Sequence, residues 1–324
     1  MPAAEPEAGR PPTRAPQVGA AEARAPEPSP GRLTIGFKTS PQGVDWPTLD
    51  ATWALAGSLE VFDGGWMNDH LADVARDCGG ASFESVTLIA ALAHHVPGKW
   101  LGHAVLANTF RHPAVLAKQA TVLDHVTGGR YRLGLGAGWH EGEHRSLGIP
   151  LPPMPERFAR FESAVGVLRA LFSAAAATPP GVTRPDPWYP LEDALNEPAP
   201  LRPGGPPIYL GGQGPRGIAL AGRAADGWLL PGVNAGDVAY FSAKRDLLLR
   251  ALEAAGRDPA GFSFVGQVAC GTTAADRRRA LETAIALHRA GADQVILAVT
   301  ARLGPDGLRD AAHEVAEPLR DRFA

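Results

Sequence analysis

Five short stretches of this 324-residue chain carry the side chains best suited to chemistry. His140-Glu141-Gly142-Glu143-His144 spells H-E-x-x-H, the zinc protease signature. That chemistry needs two histidines one helical turn apart and a glutamate poised over a metal-bound water. The context argues against it. The motif follows directly on RYRLGLGAGW, Gly142 weakens a helix through it, and Leu147 stands where the extended motif needs glycine. Glu162 is a distant third ligand that nothing requires. The motif reads as polar residues on a strand-end loop, and no metal is expected. Asn68-Asp69-His70 closes a strand, and His70 can move a proton near neutral pH or serve as a structural hydrogen-bonding group. The tandem His94-His95 reads as capping or surface residues. Gly134-Leu135-Gly136-Ala137-Gly138-Trp139 is not G-x-G-x-x-G, because Trp139 takes the last glycine's place. Its glycines still let a ligand approach the backbone closely. Gly211-Gly212-Gln213-Gly214 runs through Pro215 and Arg216 into a helix, which makes either an anion cradle or a tight turn.

Strands and helices must carry these stretches. Leu33 to Phe37 reads as a strand and Trp46 to Leu59 as a helix. Phe62 to Asn68 is a strand weakened by Gly64 and Gly65, followed by a helix over Phe83 to His94 and a strand over Trp100 to Ala107. Pro113 opens a helix with Val115, Leu116, Val122, Leu123 and Val126 at helical spacing, and Gly128-Gly129 ends it. Arg130 to Leu135 is the next strand, then Arg157 to Phe172 a helix. Ser173 to Pro203 reads as a long loop. Strands follow at Pro207 to Gly211, Trp228 to Leu230, Phe262 to Ala269 and Gln294 to Val299. Helices fall at Phe241 to Ala255, Arg278 to Arg289 and His313 to Phe323. Strand-then-helix alternation, about eight times over, predicts an α/β fold, either a barrel or a doubly wound sheet.

With 45% hydrophobic and 20% charged residues, a large core is possible. A net charge of −3 gives no nucleic-acid footprint, and no apolar run reaches membrane-spanning length. Two cysteines, Cys78 and Cys270, make no disulfide framework and fit a cytoplasmic setting. Residues 1–31, rich in Ala, Pro and Glu, read as a disordered tail ahead of one domain over 32–324.

Together, WMNDHL, LGHAVLANTFRHPAVLAKQATVLDHVTGGRYRLGLGAGWHEGEHRSLGIP, PERFARFESAVGVLRALF, YPLEDALNEPAP and PPIYLGGQGPRGIALAGRAADGWLLPG resemble luciferase-like oxidoreductases, specifically the F420-dependent subgroup. The resemblance implies a (β/α)8 TIM barrel with an insertion loop, and a flavin or deazaflavin ring at its C-terminal mouth. Coenzyme F420 is favoured and FMN is the alternative. A cis Ala104-Val105 bond would back one ring face and leave the other open for hydride transfer. Asn68, Asn108 and Gly136, Ala137 and Gly138 would line the cofactor, and Gly211, Gly212 and Gly214 would hold its phosphate. His70 would be the catalytic proton carrier. Members that oxidise sugar phosphates carry glutamate where this chain has Trp139, so that activity is not implied. Trp66, Trp139 and Trp188 are expected to wall a substrate pocket, with Ser173 to Pro203 as a lid. The expected partners are a small-molecule substrate and a second copy in a homodimer. An FMN-dependent monooxygenase and a non-catalytic flavin-binding protein are the rival readings.

Overall fold

The computed structural model describes residues 32–323, so the expected tail over 1–31 lies outside the described residues. Nine parallel strand segments form one closed sheet: β1 (Thr34–Thr39), β2 (Gly64–Met67), β3 (Trp100–His103), β4 (Leu106–Ala107), β5 (Tyr131–Gly136), β8 (Ile208–Leu210), β9 (Gly227–Leu229), β10 (Ser263–Ala269) and β11 (Gln294–Ala298). The intervening β6 (Val182–Arg184) and β7 (Leu191–Ala194) form a separate antiparallel hairpin. β1 sits between β11 and β2, and β3 pairs with β5, so the sheet has no open edge. β3 and β4 are one stave broken by a cis Ala104–Val105 peptide, which makes an eight-staved barrel. The barrel alternative was right and the open sheet was not.

Each stave is buried on both faces, as parallel strands under helices must be. On β1, Phe37 points outward and meets Trp53 and Phe62 at ring distances of 5.1 and 5.5 Å. Gly36 points inward, where an added Cβ would lie 2.7 Å from the Trp100 ring. The interior is filled by Trp66, Trp100, Tyr209, Leu229, Val265 and Ile296. Three large aromatics fit because glycines face them. A Cβ on Gly64 would lie 2.1 Å from Trp100, and one on Gly102 would lie 2.6 Å from Trp66. The glycines that weaken the second strand by propensity are therefore required by packing. Below this plug, Arg132 stacks 4.2 Å over Trp100 and donates to Gln294 at 2.6 Å.

Helix α3 (Pro113–Val126) starts where Pro113 predicts, with His112 as N-cap, and Gly128 and Gly129 follow it at positive φ. Its spacing resolves into two faces. Leu116 and Leu123 are buried, whereas Val115, Val122 and Val126 are more than half exposed. The expected long loop is an ordered strap. Beyond the β6–β7 hairpin it runs along α3, with Asn196 donating to Thr121 (3.0 Å), the Arg202 N–H to Asp124 (3.0 Å) and Lys118 to the Glu197 carbonyl (3.1 Å). Most of it therefore covers the barrel's flank instead of lidding its mouth.

Candidate active site

The expected site residues all fall at the C-terminal ends of the staves, or on the loops that leave them. His70 follows β2, and the carboxylate of Glu143 takes it in hand, 3.0 Å from Nδ1. Glu143 is fully buried and also accepts from the Leu71 N–H and, at 3.0 Å, from the Ala72 N–H. Burial would raise its carboxyl, but His70 and these two N–H groups outweigh that and hold it below the usual range. His70 Nε2 has no partner among the described residues, so one nitrogen is anchored and the other is left for a ligand.

In this geometry the side chains of the H-E-x-x-H stretch have other partners. Glu141 to Ser146 form a short helix, α4, capped by His140, whose Nδ1 accepts from the Glu143 N–H at 3.0 Å. His144 is buried with its two ring nitrogens 2.7 Å from the His140 carbonyl and 2.7 Å from Thr109 Oγ1. The two histidines serve the backbone and a threonine, and the acid that matters is Glu143, at a variable position of the motif. The stretch is thus a helix and not the expected loop.

Asp69 fixes the stave break. Its buried carboxylate accepts two bonds from Arg111 (2.7 and 2.8 Å), one from Ser85 Oγ (2.8 Å) and one from the Ala107 N–H (2.8 Å). Burial would raise this carboxyl, but the guanidinium and the other donors hold it low. Arg111 reaches on to Glu84, whose carboxyl is brought down to about 2 against the opposing effect of burial. The end of β2, the end of β4 and the start of α2 (Ser85–Leu92) are thereby tied together around Ala104–Val105. Nearby His103 is buried, 2.8 Å from the Tyr131 hydroxyl, and burial lowers it to about 4, so it is neutral at pH 7.

The chain's own atoms fit a planar ring with a phosphate. Ala104 and Val105 pack on the barrel plug yet stay half-exposed. A Cβ on Gly136 would lie 2.9 Å from the Val105 side chain, too close without a shift, whereas one on Gly211 would make ordinary contact with it at 3.6 Å. Asn108 is buried, and its Oδ1 has no hydrogen-bond partner among the described residues. Gly138 adopts φ +84° beside Thr109. Gly212 closes to within 2.9 Å of Gly217 by its Cβ position, and α6 (Pro215–Ala224) begins at Gly214 with no side-chain cap, leaving its first N–H groups for an anion. Gln213 is held by Tyr240 (2.7 Å) and Lys244 (2.9 Å). Asn68 and Ala137 are half-exposed alongside.

The tryptophans divide. Trp139 is 61% exposed, with its ring edge-on to His70 at 6.0 Å. Trp66 is wholly buried in the plug and is floor, not wall. Trp188 lies under Arg160 at 4.5 Å, on the outer side of α5 (Met154–Leu171). Two cavities of about 410 and 430 Å³ lie elsewhere, one beneath the plug near Arg132 and one between α4 and the start of α5. The mouth holds the convergent polar groups of the candidate site.

The luciferase-like monooxygenase family model matches residues 39–323. The chain belongs to this family. The phthiodiolone/phenolphthiodiolone dimycocerosates ketoreductase of Mycobacterium tuberculosis (strain ATCC 25618 / H37Rv) is 30% identical over 299 residues, covering 86% of this chain and 73% of the relative. An F420-dependent glucose-6-phosphate dehydrogenase of Beutenbergia cavernae is 33% identical over 198 residues, 61% of this chain and 56% of the relative. An F420-dependent secondary alcohol dehydrogenase, solved with an F420-acetone adduct, shares the fold with a TM-score of 0.70 at 18% identity, covering 89% and 99% of the two chains.

Sequence reasoning missed Glu143, Arg111 and the buried Lys38. Arg111 stands inside the long resembling block, and Glu143 inside the zinc-like motif, where it was noise. Lys38 sits one residue past the strand read from LTIGF.

Proposed function

We propose that this protein is an F420-dependent oxidoreductase that moves a hydride between the deazaflavin and a small alcohol or ketone. The observation that carries the reading is His70, anchored through Nδ1 to a buried carboxylate, with no partner at Nε2 among the described residues, at the barrel end that carries the half-exposed Ala104–Val105 floor. The two F420-dependent proteins and the ketoreductase among the similar proteins support the cofactor and the substrate class.

When bound, the deazaflavin supplies the two-electron hydride chemistry. Val105 and the glycines at 136 and 211 support its ring, Asn108 offers an acceptor, and Gly211 to Gly214 with the start of α6 take the phosphate. His70 Nε2 takes the proton from an alcohol oxygen in oxidation and returns one in reduction. Glu143 keeps the ring turned toward the mouth. Trp139 stands edge-on to His70 at the rim, where its exposed ring offers the substrate an apolar surface.

The test is a titration of tryptophan fluorescence with F420, FMN and reduced FMN. Micromolar or tighter binding of F420, with FMN much weaker, supports the reading. A preference for reduced FMN with oxygen uptake replaces it with monooxygenation. Cofactor binding with no turnover of any alcohol or ketone, and no change on His70→Ala, replaces it with a binding protein.

A further inference from the structure

Lys38 is a buried ionisable side chain near the C-terminal end of β1. It follows Gly36 on the inward face of β1 and pairs in register with Trp66, whose ring fills the plug, and with Ala298. It is 9% exposed. Its Nζ donates to Gln267 Oε1 at 2.6 Å, and Gln267 is itself tied to the Leu230 carbonyl. No carboxylate pairs with it among the described residues, and burial lowers the amine to about 8. An amine that is still largely charged at pH 7, buried against one neutral amide, has donors left over and no counter-charge. Lys38 is the last residue but one of β1 and Ala298 the last of β11, so the amine's position is at the C-terminal end of the barrel interior, the end that carries the half-exposed Ala104–Val105.

We propose that Lys38, held by Gln267, binds the oxygen of the substrate's carbonyl or carbinol, and so selects substrates that develop negative charge there. The proposal rests on the oxidoreductase reading above. Lys38 supplies a fixed donor to the oxygen, while His70 moves the proton.

Isobutyrate serves as the probe, since its carboxylate imitates such an oxyanion on a small branched carbon. It is titrated into the F420-loaded protein, wild type and Lys38→Met, with F420 affinity measured first. The expected result is F420 binding within about twofold in both, with isobutyrate at least tenfold weaker in the variant and partly restored in Lys38→Arg. Lys38→Gln gives the same comparison if Lys38→Met does not fold. Equal isobutyrate affinity in wild type and variant, or no isobutyrate binding by the loaded wild type, overturns the role of Lys38. Failure of F420 to bind wild type overturns the underlying reading instead.

Discussion

His70 and Glu143 form a hydrogen-bonded unit, and in the function proposed here one residue meets the substrate and the other aims it. His70→Ala should lower kcat by about 10²–10⁴ while leaving F420 affinity nearly unchanged. Glu143→Gln should cost less, about tenfold to a hundredfold, because the amide can still hold the ring but presents a different set of donors. Steady-state kinetics beside a cofactor titration separates the two effects, and a loss of F420 binding in either variant would contradict the assignment. Asp69 and Arg111 act on stability. Breaking this buried pair from one side leaves a stranded charge and should destabilise by about 3–5 kcal/mol, with the double variant losing less than the sum. Denaturant titration of Asp69→Ala, Arg111→Ala and both together reads this directly. Glu84 gives the pH sign. Its folded carboxyl titrates near 2 against an ordinary 4.5, so its contribution is complete above about 4.5 and is lost as pH falls toward 2. Melting temperature should drop across that window, and the drop should shrink in Glu84→Gln.

At the scale of elements, alternation of short apolar strands with helices was legible because each β/α unit obeys local rules. Pro113 and the Gly128-Gly129 pair marked α3 to the residue. Three features were not legible. β6 and β7 are three and four residues of partly exposed, charged chain, too short and too polar to show a period. α4 hides behind Gly142. The last helix, expected from His313, begins earlier at Gly304 and passes through a wider turn over Ala312–Ala316 before Pro318, which has no N–H to give. Gly64 and Gly65 were penalised by propensity but are fixed by neighbours distant in sequence, Trp100 and Phe37. Gly64→Ala should therefore destabilise by about 1–3 kcal/mol or more through overpacking. Gly232→Ala, where a Cβ meets nothing within 4 Å, is the control and should be near neutral. Equal melting temperatures for the two would refute the packing argument.

For the whole molecule, barrel closure depends on β1 meeting β11, whose residues lie some 260 positions away in the chain, and no local pattern encodes that pairing. The resemblance provided it. The same limit hid Lys38, because the inward face of a strand is defined only once the barrel closes. Val115, Val122 and Val126 form an exposed apolar stripe on α3, and we propose this as the face of the expected homodimer. Sedimentation should find a dimer for the wild type and a monomer for Val122→Asp; an unchanged dimer moves the interface elsewhere.

The aromatic plug has a consequence for traffic. Trp66, Trp100 and Tyr209 separate the mouth from the cavity of about 410 Å³ beneath it, whose walls include Trp100 and Arg132. A molecule lodged in that lower chamber cannot touch what is bound above. In the function proposed here the mouth then serves as both entrance and exit, and every ligand comes and goes by one face of the barrel.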